Sequence, residues 1–98
     1  MEKLNSSDRK NLRSQAHHLK PIVMVGRNGV SEQLIASVDA ALKDHELIKV
    51  KFLDFKEEKK EISEEIATIT KSEVAGIIGN IAIFYRRHPQ PEMRKIKL

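Results

Sequence analysis

The sequence predicts an α/β fold: one compact domain in the order α-β-α-β-α-β-β, with a four-stranded mixed sheet. Three observations lead there. Three polar segments carry apolar residues at helical spacing, short runs of apolar residues lie between and after them, and no repeat or flexible linker interrupts the 98 residues. A chain of that length buries a single core, so 1–98 is taken as one domain ending in a basic tail, 88–98.

Ser7 reads as an N-cap, and Leu12, Ala16 and Leu19 then recur at helical spacing, which predicts a first helix over 8–19 closed by Lys20-Pro21. Ile22 to Val25 are consecutively apolar and mostly branched, as in a short strand buried on both faces. Ser31 caps a second helix running to about Asp44, with Leu34, Ile35, Val38, Ala41 and Leu42 on one side. From Leu47 to Leu53 the chain alternates, so Ile48, Val50 and Phe52 face the core while Lys49 and Lys51 face water. A third helix near Glu57 to Lys71 buries Ile62, Ile66 and Ile69 and exposes Glu57, Glu58, Glu61, Glu64 and Glu65. Val74 to Ile78 and Ile81 to Tyr85 flank Gly79-Asn80, a pair suited to a tight hairpin. His88-Pro89-Gln90-Pro91 stops the last strand, and Lys95 to Leu98 is a candidate extra strand. A parallel pair within this order needs a crossover helix, whereas the last two strands form an antiparallel hairpin.

The net charge of +4 is sorted along the chain. Residues 1–29 carry six Lys/Arg against two acids, 30–85 carry seven against eleven, and 86–98 carry five against one. Basic ends around an acidic middle describe a two-sided molecule with one face suited to a polyanion. Cysteine is absent, which excludes disulfides, thiolate metal sites and thiol nucleophiles. Polar opening residues argue against a signal peptide, and the longest apolar stretch is too short to span a bilayer, so a cytoplasmic location without membrane association is expected. The four histidines lack metal-ligand spacing, and neither His-Glu-x-x-His nor Gly-x-Ser-x-Gly occurs. No enzyme activity, metal or cofactor is expected.

The chemistry concentrates between Lys20 and Ser31. An apolar run feeds Gly26-Arg27-Asn28-Gly29 and then a helix start, where glycines leave backbone N–H groups uncovered and the helix dipole presents its positive end. Arg27 adds a permanent cation and Asn28 an amide. A Walker loop is excluded because no Gly-Lys-Ser/Thr follows. The KH module also clamps nucleotide backbone with a Gly-x-x-Gly loop, but that loop joins two helices, whereas this one follows a strand. On a helical wheel with Leu12 at zero, Arg9, Lys20, Arg13 and His17 fall between about 60° and 140°, with Lys10 near 160°. They form a basic face beside the apolar stripe. Phe52, Phe55, Phe84 and Tyr85 are the only aromatics, too few for a platform that reads several bases. Recognition of backbone and shape is therefore expected. Tyr85 is read as half core and half surface, its hydroxyl near Arg86.

Leu12-Arg13, Ala16-His17, Leu19-Lys20-Pro21, Gly26-Arg27-Asn28-Gly29, His45-Glu46-Leu47-Ile48-Lys49-Val50-Lys51 and Tyr85-Arg86 occur in this order over roughly Leu4 to Arg87. This pattern resembles the CRM domain family (chloroplast RNA splicing and ribosome maturation), whose bacterial single-domain members are called YhbY-like. The family's loop usually has lysine after the first glycine; Arg27 replaces a point ammonium with a planar fork. The resemblance implies a fold similar to the C-terminal domain of translation initiation factor 3, and an RNA-binding role. A lone domain looks like the ribosomal branch, whose members associate with precursor large ribosomal subunits, whereas plant relatives serve in intron splicing. The expected function is thus RNA binding in ribosome assembly, by a monomer that contacts ribosomal RNA through phosphates. The candidate RNA-binding residues are Arg9, Lys10, Arg13, His17, Lys20, Gly26, Arg27, Asn28, Gly29, Tyr85, Arg86 and Arg87. The alternative is a protein-interaction module whose acidic third helix docks a basic ribosomal protein.

Overall fold

Asn5 decides where the chain first becomes helical. Its side chain accepts from the Asp8 amide at 2.7 Å, and the Asp8 carboxylate accepts in return from the Asn5 amide at 3.4 Å, a reciprocal cap that starts α1 at Ser6–Ala16. The expected start at residue 8 is therefore too late, and Ser7 lies inside the helix. Leu19 falls beyond its end and stays partly exposed. The computed structural model describes residues 4–98, so the first three positions of the expected domain lie outside it.

The remaining elements are β1 (Val23–Val25), α2 (Glu32–His45), β2 (Leu47–Phe52), a 3-10 turn (Lys56–Glu58) leading into α3 (Lys59–Thr70), β3 (Glu73–Ile78), β4 (Ile81–Tyr85) and a 3-10 turn at Pro91–Met93. The expected element order and sheet are both found. Strands lie in the order β1-β2-β4-β3; β1 runs parallel to β2, and β4 runs antiparallel to both neighbours. Gly79 makes the β3–β4 turn at φ +59. No strand forms at Lys95 to Leu98.

Helices cover both faces of this sheet. On one side α2 and α3 bury Leu34, Val38, Leu42 and Ile66 against Val23, Val25, Ile48, Val50, Phe52, Ala82 and Phe84. On the other, α1 buries Leu12 and Ala16 against Leu47, Ala75, Ile83 and Tyr85, with Leu4 and the tail residue Ile96. Because α1 packs over β2, β3 and β4, the outer face of β1 has no helix above it. Ile22 and Met24 point there and are 52% and 46% exposed. The run Ile22 to Val25 is therefore buried on one face only.

The buried stripe of α3 is centred on Ser63, Ile66, Ala67 and Thr70, which leaves Ile62 half-buried. Ile69 falls at the stripe's margin and is exposed, contrary to the expected pattern. Gly76 has a packing reason: a Cβ there would lie 2.5 Å from Arg13 Cδ. The arginine crosses that glycine to donate to the Ala75 carbonyl at 3.0 Å, beside an irregularity in the β3 ladder between Val74 and Gly76.

Candidate nucleic-acid interface

Beyond Val25 the backbone closes a tight turn in which the Gly29 amide donates to the Gly26 carbonyl at 3.0 Å. Gly29 has φ +60, and a Cβ there would meet the Phe55 ring at 3.3 Å, so both conformation and space require glycine. Gly26 differs, because its φ is not positive and the space beside it is open. Its glycine is thus a matter of access rather than backbone strain. Ser31 then caps α2 by accepting from the Leu34 amide at 3.1 Å.

That turn closes one donor of the expected set internally. The amides of Arg27 and Asn28 have no acceptor among the described residues, and both side chains are exposed. The Arg27 guanidinium makes no ion pair among the described residues. Around the turn lies a cleft of about 290 Å³, lined by Ile22 and Met24 of the uncovered sheet margin, by residues 26–29, and by Ser31, Gln33 and Ser37 of α2. Its polar lining, its free amides and the start of a helix suit a phosphate oxygen. Ile22 also borders a second depression, with Leu19, Lys20, His45, Lys95 and Ile96, which places the exposed Lys20 along the same margin.

Of the expected basic face of α1, only Lys20, beyond the end of the helix, lies along this margin. Lys10 is exposed, and the His17 ring packs edge-on against His18 while the His17 carbonyl accepts from Lys49 Nζ at 3.5 Å. Arg9 and Arg13 are half-buried and engaged with the fold: Arg9 donates to the Leu4 carbonyl at 2.7 Å and Arg13 to that of Ala75. No α1 side chain lines the cleft at the glycine turn.

Tyr85, Arg86 and Arg87 lie elsewhere. Leu47 pairs with Tyr85, whereas Val25 pairs with Phe52, so Tyr85 and its followers occupy the end of the sheet opposite the turn. Tyr85 is 2% exposed, which corrects the expectation of a half-surface residue. Burial raises its pKa, an effect that neighbouring Arg87 opposes and the charge of Glu46 reinforces. Arg86 is committed to structure, with bonds to Asp39 Oδ1 at 2.6 Å, the Thr70 carbonyl at 2.9 Å and the Asp39 carbonyl at 3.1 Å. Arg87 is exposed.

Sequence reasoning missed Glu46. It is 1% exposed at φ +62, and its carboxylate accepts from the amides of His88 at 2.7 Å, Ile96 at 2.9 Å and Lys95. Burial alone raises its pKa, but these three amides and the nearby His88 outweigh it and hold the carboxyl below its ordinary value. The signals in the sequence were a carboxylate between the end of a helix and an apolar run, and its place in the string His45 to Lys51.

The CRS1/YhbY (CRM) domain model matches residues 4–86. A Haemophilus influenzae protein named "RNA-binding protein" is 40% identical over 87 residues, 88% of each chain. The Bacillus subtilis protein named "Probable RNA-binding protein YqeI" is 35% identical over 96 residues, 97% of this chain and 98% of its own. The solution structure of the Staphylococcus aureus hypothetical protein SAV1595 superposes with a TM-score of 0.81 at 32% identity, covering 97% of this chain and 100% of that one.

Proposed function

The chain belongs to the CRS1/YhbY (CRM) domain family, and on that premise we propose that it is an RNA-binding protein whose glycine turn grips the sugar-phosphate backbone. The observation that carries this reading is an asymmetry among the arginines. Arg9, Arg13 and Arg86 are held by carbonyls or a carboxylate of the fold and the exposed Arg87 lies by Tyr85 at the far end of the sheet, while Arg27 is unpaired among the described residues, in a turn with two unengaged amides that leads into α2. A guanidinium with open donors next to an amide-lined turn matches the fork geometry of a phosphate. Lys20 and Lys51, both exposed, extend the positive margin on either side of Met24, which pairs with Lys51. The names of the relatives support RNA as the polyanion.

The finer reading is that the RNA is ribosomal, in precursors of the large subunit, and that the protein assists assembly by holding it, with no chemical step and in the cytoplasm. Crosslinking in cells followed by sequencing tests the target: enrichment of large-subunit precursor sequences is expected, and reads spread over unrelated transcripts would overturn it. For the contact itself, binding of a single-stranded oligoribonucleotide is followed over a salt series. Arg27→Ala and Lys20→Ala should each lower the slope of log affinity against log salt by about 0.7 and weaken different sequences alike. Unchanged slopes would remove the turn from the interface.

One observation favours a second surface. Glu57, Glu58, Glu61, Glu64 and Glu65 are all exposed and make no ion pair among the described residues. They could receive a basic ribosomal protein, in which case co-sedimentation with ribosomal particles should survive nuclease digestion.

A further inference from the structure

We propose that Phe55 stacks on one unpaired nucleobase of the RNA held at the glycine turn, so that this end of the molecule prefers single-stranded over duplex RNA. The inference rests on the phosphate-gripping reading of the turn and adds to it the kind of RNA that fits.

Three of the four aromatic side chains are unavailable to a ligand: Phe52 and Phe84 are fully buried in the core under α2 and α3, and Tyr85 lies in the core under α1. Phe55 alone remains, 36% exposed, and it sits at the glycine turn, its ring 3.3 Å from where a Gly29 Cβ would be. The backbone is unusual there. Phe55 is left-handed at φ 53, ψ 39, a conformation that an aromatic residue rarely adopts and that the surroundings must enforce. They do so through several bonds. The amides of Leu53 and Asp54 donate to the Val25 carbonyl at 2.9 and 3.2 Å, the Phe55 amide donates to Asp54 Oδ1 at 2.8 Å, and the Glu58 amide donates to the Phe55 carbonyl at 3.1 Å. Val25 is the residue from which the turn departs. Ring and turn are thereby fixed to one point, one part of the ring lying against Gly29 and its remaining surface facing a depression next to the turn that Leu53, Asp54, Lys56, Glu57 and Glu58 complete.

Charge beside the ring disfavours a phosphate, because the depression that Phe55 lines also holds Asp54, Glu57 and Glu58 against Lys56 alone. The attraction of the backbone falls to Arg27, and Phe55 offers what a phosphate contact lacks, a π-face that any unstacked base can cover. A paired base has both faces covered within its helix and gains nothing from the ring. Removing such a stack costs about five- to 150-fold in affinity.

The chain has no tryptophan, so Phe55→Trp introduces a single fluorophore at the site. A single-stranded oligoribonucleotide should quench it, and a blunt duplex of the same sequence should leave it bright. Phe55→Ala should lose about five- to 150-fold for the single strand and less than about twofold for the duplex. Phe55→Leu, which retains apolar packing on Gly29, should show the same selective loss with unchanged thermal unfolding. Equal losses for both RNAs would make Phe55 a support for Gly29 only, and an unquenched tryptophan would likewise overturn the proposal. Arg27→Ala separates the two readings. If it weakens both RNAs while Phe55→Ala weakens neither, stacking alone fails; if it weakens neither while the tryptophan is quenched, the phosphate grip alone fails.

Discussion

The two ends of the sheet hold similar materials and use them in opposite ways. At the Leu47 end, Glu46 and Arg86 are charged, Glu46 has a positive φ, and both are engaged by the fold: three amides on the carboxylate, a carboxylate and two carbonyls on the guanidinium. At the Val25 end, Gly29 has a positive φ and Arg27 carries the charge, but the guanidinium and two amides are left open. A satisfied buried charge fastens a fold, whereas an unsatisfied exposed one stores interaction for a partner. Under the proposed reading the two ends have different tasks, although their residue types overlap and the exposed Arg87 lies at the closed end.

Breaking the closed end should have the largest effect. Glu46→Ala strips partners from three amides and frees the tail, and it should lower unfolding free energy by about 3 kcal/mol in urea titrations while trypsin cuts the tail near Arg94 and Lys95 faster. RNA affinity of the folded protein at the turn should persist. The pH dependence follows from the sign of the shift. A carboxyl whose folded pKa is depressed contributes its full stability above the ordinary value of 4.5 and loses it as pH falls through the lower folded value. The stability gap between wild type and Glu46→Gln should therefore be flat from neutral pH to about 5 and close below 4.5.

Gly29→Ala comes next, at about 1–2 kcal/mol, because the side chain meets both a left-handed backbone and the Phe55 ring. Gly76→Ala should cost about 1 kcal/mol by pushing Arg13 off the Ala75 carbonyl, which a shift in thermal midpoint would register. Arg27→Ala should leave the midpoint where it is and be visible only in RNA binding, the clearest contrast with Glu46. A drop in its midpoint would show that the open end also carries the fold.

Much of this architecture was legible from local pattern. Alternation around Lys49 and Lys51 marks β2, Gly79-Asn80 marks the hairpin, and Ser31 marks the start of α2. Errors arose where a tertiary neighbour decides. Ile22 and Met24 read as core until α1 is seen to pack over β2, β3 and β4, and Ile69 reads as core until the stripe of α3 is seen to turn toward Ser63 and Thr70. The four turn residues are contiguous in sequence and stayed together in space. The cations did not, because whether an arginine is free depends on which carbonyl lies within reach, and Arg13 finds one 62 residues away. Phe55 could not be singled out: alternation places Phe52 in the core, but nothing local shows that Tyr85 is wholly enclosed or that the Phe55 ring lies against Gly29.

The margins of the sheet have a consequence for behaviour at high concentration. A ladder with open backbone groups along its rim invites another chain to add itself, and proteins that remain dispersed shorten or obstruct such rims. Here one rim is only Val23–Val25, and the other is interrupted near Ala75, whose carbonyl is already taken by Arg13. The side chain that ties the first helix down also withholds a template for fibrillar growth, and its removal should show first as light scattering in warmed, concentrated solutions.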